Sequence, residues 1–257
     1  MTGRMGIDRR RFAVRALQLS ALSLLTGCDR LSRSPSVAAV LKSAEGLTRR
    51  VQRAFRPRRA MAAEFTEADR SPVFPSNGTT SPEDSTYQAL AASGFAAWRL
   101  EVDGLVQRPS RLSLEELRRL PARTQITRHD CVEGWSAIAK WKGVPLRTLL
   151  DDVGVDPRAR YVVFHCADTM DEGGSRYYES IDFDDAFHPQ TILAYEINDR
   201  PLPIAYGAPL RLRVERQLGY KMAKYIMRIE LVETFATIGQ GNGGYWEDRG
   251  YEWYAGI

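Results

Sequence analysis

Thr127-Arg-His-Asp-Cys-Val-Glu-Gly-Trp-Ser136, with Lys140-Trp-Lys-Gly-Val-Pro-Leu146 close behind it, is the stretch on which the reading turns. Arg123 to Thr127 alternates as a strand does, and a Trp-bearing segment resumes after the Gly. Cys131 therefore sits on a turn between two extended pieces. A single thiol presented on such a turn is either a buried bystander or a ligand for a soft metal.

Outward from this point, short strands alternate with helical pieces. Trp98-Arg-Leu-Glu-Val-Asp-Gly104 alternates and ends in a turn dipeptide. Ser113 followed by Glu116 is a capping box, which predicts a helix to Leu120 stopped by Pro121. Arg160 to Cys166 is a dense β run, Asp182 to Phe187 a short helix, and Thr191 to Ile197 a strand turned at Asn198-Asp-Arg-Pro201. Leu210 to Val214 and Tyr225 to Glu233 add two more strands. Many short strands with few helices predict an α+β domain with mixed sheets. Ser71 to Ser85, rich in Pro, Ser, Thr, Asn and Gly, reads as irregular.

The N-terminus reads as processing rather than structure. Arg9-Arg-Arg-Phe12 before the apolar run Ala13 to Thr26 fits a twin-arginine signal over residues 1–27. Leu25-Thr-Gly-Cys28 fits a lipoprotein cleavage site, which would leave a lipidated Cys28 as membrane contact, at the inner membrane given Asp29. Residues 28–70 then form a tether. Val37, Val40, Leu41, Ala44, Leu47, Val51 and Phe55 recur at helical spacing, and Arg49, Arg50, Arg53, Arg56, Arg58 and Arg59 crowd the end. Such a helix either lies on an anionic membrane surface or packs on its own domain. Residues 71–257 remain for the globular domain.

The formal charge of +4 belongs to the leader: taking away its five Arg and one Asp leaves 31 basic and 31 acidic residues. A balanced chain gives no electrostatic footing to nucleic-acid binding. After Cys28 only Cys131 and Cys166 remain, so one disulfide at most could form, and it would consume the candidate ligand. Three His residues supply a three-ligand zinc site poorly, and no haem, dinucleotide or Walker motif is present.

Cys131-Val-Glu-Gly-Trp-Ser136 with Trp141-Lys-Gly-Val-Pro-Leu146 resembles the cysteine segment of sulfite-oxidase-type molybdopterin oxidoreductases. Ile192-Leu-Ala-Tyr-Glu-Ile-Asn198, Pro201-Leu-Pro203, Gly207-Ala-Pro-Leu-Arg-Leu212 and Gly219-Tyr-Lys-Met-Ala-Lys224 resemble its later cofactor-binding segments, in the expected order across residues 71–235. In outline the resemblance is nearest to periplasmic methionine-sulfoxide reductase catalytic subunits.

The resemblance implies a sulfite-oxidase-like molybdopterin-binding fold and a molybdenum-molybdopterin cofactor, one Mo per chain, with Cys131 as the metal's protein ligand. It also implies cofactor contacts from Asn77, Arg211 and the loop carrying Lys221, Met222, Ala223 and Lys224. Cys166 and Tyr206 stand where relatives carry other polar contacts. Arg128 and His129, flanking the thiol, are expected to face the substrate funnel. Ser76 replaces an anion-binding Arg of true sulfite oxidases, so reduction of an S-oxide is expected ahead of sulfite oxidation; a metal-free binding module is the non-catalytic alternative. With no redox motif of its own, the chain is expected to need a separate electron partner, such as a membrane b-type cytochrome. The Gly-rich, aromatic tail from Gly239 to Tyr254 either packs over the domain or rims the funnel.

Overall fold

The computed structural model of the chain describes residues 34–55, 60–171 and 173–257. The leader, Cys28, and Arg56, Arg58 and Arg59 lie outside the described residues. The chain divides into two units, Met1–Gln52 and Arg53–Ile257. What is described of the first belongs mainly to helix α1 (Pro35–Phe55), on the segment whose helical spacing predicts it. No helix among the described residues is long and apolar enough to cross a membrane.

The second unit is built on two five-stranded sheets. One runs in the order β2 (Ser110–Ser113), β1 (Arg99–Gly104), β10 (Ile226–Val232), β5 (Tyr161–Thr169), β6 (Arg176–Asp182). It is mixed, because β1 and β10 are parallel while the other neighbours are antiparallel. The other sheet orders β3 (Arg123–Asp130), β4 (Ser136–Pro145), β7 (Ile192–Ile197) and β8 (Arg200–Pro201), with β9 (Arg211–Arg213) also on β7. The expected α+β class with mixed sheets and short helices is what forms.

Local chemistry explains the elements. After the helix α2 (Ser85–Ala92) comes α3 (Leu114–Arg119), before which the Ser113 hydroxyl accepts from the Glu116 N–H and the Glu116 carboxylate accepts from the Ser113 N–H, the capping box read from sequence. Helix α4 (Leu146–Val153) buries Leu146, Leu149, Leu150 and Val153, one stripe at helical spacing, and ends where Gly154 takes φ +67°. Asn198 and Asp199, both at positive φ, make the tight turn between β7 and β8. Gly143 sits beside a register shift of β4 against β7; a side-chain carbon there would lie 2.1 Å from the Leu193 carbonyl, so the strands approach closely only with Gly.

The main core gathers Trp98, Leu100, Phe164, Ile229 and Leu231 with the α4 leucines. A second cluster of Phe74, Trp141, Ile192 and Leu202 lies on the other sheet. Residues 60–71, mostly assigned to the tether on sequence, run along that sheet. The Phe65 N–H donates to Ile126, the Ser71 N–H to Ile138, and Gln190 is bonded by both backbone groups of Ala62.

Candidate active site

Cys131 opens the turn between β3 and β4. Its N–H donates to the Trp135 carbonyl at 2.9 Å, its carbonyl accepts from Gly134 at 3.0 Å, and Gly134 turns the chain at φ +89°. The thiol is free and buried, and burial raises its pKa. Asn77, from the irregular segment, aims its amide at the sulfur from 3.7 Å. Together they line an open cleft of about 170 Å³, whose other walls include Arg211, Met222, Lys224, Asp168, Tyr177, Trp246 and Tyr251.

Two cations dominate this cleft. Arg211 is buried; it donates to the Tyr206 and Met222 carbonyls and lies over the Trp141 ring, but its Nε has no partner. Burial, then the charge of Arg213, lowers its pKa to about 9. The Lys224 ammonium donates to the carbonyls of Asn77, Thr79 and Ala205, and burial followed by Arg211 pulls its pKa to about 7. Gly207 lets the Lys224 stem pass: a side-chain carbon there would come within 2.8 Å of it, at φ +108°. Asp168 is the nearby carboxylate, lifted to about 6 by burial and with one oxygen unpartnered. Two buried cations held only by carbonyls, one with an orphaned N–H, form a site short of negative charge. A phosphate-bearing ligand with its own metal-binding sulfurs fits this donor set, Arg211 and Lys224 facing the anion and Cys131 the metal. Among the described residues no group of three or more His, Cys, Asp or Glu side chains could hold a metal by themselves.

Of the residues expected at the site, Asn77, Cys131, Arg211, Met222 and Lys224 meet in the cleft. The others lie elsewhere, each for a physical reason. Arg128 and His129 are neighbours on β3 and must point to opposite faces. Arg128 is exposed, pairs with Asp130, and lines a separate hollow with Glu215 and Arg216. His129 is buried beneath the cleft, accepting at Nδ1 from Arg213 at 2.9 Å. Burial, then Arg213, holds its pKa well below normal, so the ring is neutral. It props the loop at Gly219, where any side-chain carbon would strike its Nε2 at 2.4 Å.

Cys166 is a core residue of β5; its thiol lies 3.9 Å from the Phe164 carbonyl, and burial pushes its pKa well up. Both cysteines are free. Tyr206 sends its hydroxyl to the Phe74 carbonyl and gives Arg211 only its backbone oxygen. Ala223 is packed in the core, its carbonyl accepting from Leu212. Lys221 is enclosed between Glu179 and Glu247, 2.5 Å from the latter, away from the cleft lining. Sequence reasoning missed Asp168, Tyr177, Glu179 and Glu247. Trp246 and Tyr251 carried a signal in the aromatic tail, which turns out both to pack on the domain and to rim the cleft.

An α+β unit that presents one thiol and two anion-seeking cations in a shared cleft has the features of a protein that binds an anionic, metal-carrying cofactor. Residues 88–237 match the family described as "Oxidoreductase molybdopterin binding domain". The chain belongs to this family, and it is an oxidoreductase whose domain binds molybdopterin. It is 41% identical over 248 residues, 96% of its length and 87% of the relative's, to a "Putative protein-methionine-sulfoxide reductase subunit YedZ1" of Azospira oryzae. It is 42% identical over 147 residues to the "Protein-methionine-sulfoxide reductase catalytic subunit MsrP" of Gluconobacter oxydans, and 39% over 161 residues to that of Xanthomonas campestris. These matches take in 53% and 58% of this chain but only 47% and 50% of those relatives. Among solved structures, the sulfane dehydrogenase SoxCD of Paracoccus pantotrophus aligns with a TM-score of 0.47 at 24% identity, over 53% of this chain and 38% of that one.

Proposed function

We propose that the chain is the catalytic polypeptide of an exported, membrane-anchored molybdenum-molybdopterin enzyme that reduces S-oxides, with methionine sulfoxide in proteins as the substrate class. The observation that carries this is the meeting of the Cys131 thiol with the unbalanced Arg211 and Lys224 charges in one open cleft. The names of the relatives, which point to methionine sulfoxide, support the direction of reaction.

The residues divide the work. Arg211 and Lys224 receive the phosphate of the cofactor, and the cost of their burial is offset when it arrives. Cys131 supplies the thiolate, and metal ligation overcomes the burial that otherwise keeps the thiol protonated. Asn77 donates towards that sulfur and fixes its direction. The bound molybdenum-molybdopterin contributes two-electron oxygen-atom transfer. Overall a sulfoxide takes two electrons and two protons and leaves as a sulfide and water.

The electrons come from a separate partner, a membrane b-type cytochrome or comparable redox protein. A twin-arginine leader at residues 1–27 and lipidation at Cys28 would keep the enzyme beside that partner, on the periplasmic face of the inner membrane. The exposed Leu47, Val51 and Phe55 of α1, a single helical stripe, support membrane contact by the tether.

Metal analysis of the natively matured protein tests the reading: about one molybdenum per chain is expected, by the single thiolate ligand available. The Cys131→Ser variant should lose turnover of methionine sulfoxide with reduced viologen. Full activity in that variant, a protein without molybdenum, or turnover of sulfite alone would each overturn it.

A further inference from the structure

Residues 238–257 follow the family match, which ends at 237. They are stitched to the domain by side-chain hydrogen bonds and a buried ion pair. Glu247 pairs with Lys221 inside the protein. The Asp248 carboxylate accepts from the Tyr178 hydroxyl at 2.6 Å. Trp253 donates to Ser180 at 2.8 Å, and the Ala255 N–H donates to Gln217 at 2.8 Å. A segment held at so many points is a wall, not a trailing end.

This wall brings two rings to the cleft that holds Cys131. Trp246 and Tyr251 stack with centroids 5.2 Å apart and planes at 28°. Tyr251 meets Tyr220 edge to face at 5.3 Å, which continues the aromatic strip along the cleft. Tyr251 is 39% exposed and Trp246 partly buried, so the strip runs from solvent inward. The Cys131 turn lines the same cleft, with Val132 exposed.

On the proposed sulfoxide-reductase reading, we infer that Trp246 and Tyr251 are specificity-determining residues: they receive the methylene stem that joins the sulfur of a methionine sulfoxide residue to its backbone. Aromatic faces accept sulfur and its neighbouring carbons well, and they leave the polar S–O bond free to point inward. A bare dimethyl sulfoxide, lacking the side-chain stem and backbone, covers little of such a strip and gains little from it.

The test is steady-state kinetics on the molybdenum-loaded enzyme, with reduced viologen as donor. Tyr251→Ala, a change at an exposed position, should raise KM for a methionine-sulfoxide peptide about tenfold, the size of one good ring contact. kcat and molybdenum content should stay within about twofold, and KM for dimethyl sulfoxide should barely move. Trp246→Ala should act in the same direction and Trp246→Phe should restore most of the loss. An unchanged peptide KM in both alanine variants overturns the inference. So does loss of molybdenum from them, which would assign the rings to the cofactor. A wild-type enzyme without molybdenum or sulfoxide turnover would instead overturn the underlying function, so the two failures read differently.

Discussion

Replacing Lys221 by Met separates a structural lysine from a cofactor ligand. The ammonium is enclosed between Glu179 and Glu247, with the Trp253 ring 5.2 Å away, and all three ionic side chains are at most 1% exposed. Burial alone would lower the pKa of Lys221, but the two carboxylates overcome this and hold it above its ordinary value. Burial, then Glu247, drives Glu179 well up, against the pull of Lys221. Removing one partner of a buried pair costs about 3–5 kcal/mol, because an uncompensated charge is left inside. At roughly 2–4 °C per kcal/mol for a unit of this size, the cofactor-free variant should melt about 6–20 °C below wild type at pH 7.

The pH dependence carries the mechanism. Without the ammonium, the carboxylates must hold protons to remain inside. The folded variant then binds more protons than the unfolded chain above about pH 4.5, and it loses stability as pH rises from there. Its deficit should therefore be small near pH 5 and large near pH 8, and adding Glu247→Gln should recover part of it. Thermal melts followed by circular dichroism across this range are the assay. A variant that melts with wild type at every pH, yet no longer retains molybdenum, would refute the reasoning and return Lys221 to the cofactor.

Two further outcomes follow from the same balance of charge. Arg211→Met should bind the cofactor poorly while leaving the cofactor-free protein no less stable, since it removes a buried guanidinium with an unpartnered Nε beside Arg213; a large fall in melting temperature, with molybdenum retained, would contradict this. His188 donates from Nε2 to the Ala60 carbonyl and accepts at Nδ1 from the Gln190 N–H, roles only the neutral ring combines, and burial followed by Arg216 lowers its pKa to about 4. Its folded pKa lies below the unfolded value, so the contribution is complete above about pH 6.5 and is lost as pH falls towards 4, a gap of roughly 3 kcal/mol. His188→Gln should flatten that part of the melting profile, and parallel profiles for the two proteins would rule it out.

The strands were legible because their faces alternate cleanly, as in β1 and β9, and α3 because its cap is written in two residues. β6 was not, since it is buried on both faces and its neighbouring buried residues Glu179 and Ser180 are polar, which breaks the binary pattern. Their partners arrive from far along the chain, Lys221 and Trp253, and no local window contains them. Helix α4 hides in a run that begins as the end of a strand motif, Val144-Pro-Leu146. At the site, the family resemblance brought Cys131, Arg211 and Lys224 into view but could not tell which neighbour of a chemical residue shares its face. Strand alternation alone separates Arg128 from His129, and it was the relevant rule there.

Lys221 and Lys224, three residues apart in one motif, show what the structure adds to such a reading. Both are buried lysines, and a motif assigns them one role. Burial lowers the pKa of Lys221 but its two carboxylates more than reverse this and raise it; Lys224 has carbonyls and a neighbouring arginine, and burial followed by Arg211 lowers its pKa. Folding has compensated the first charge within the chain and left the second, with Arg211, dependent on something outside it. A protein tolerates that imbalance where a ligand repays it, since buried cations lacking counter-charge cost stability in the empty state. The sign of the shift thus separates a lysine held by two carboxylates of its own chain from one that, beside Arg211, donates only to carbonyls.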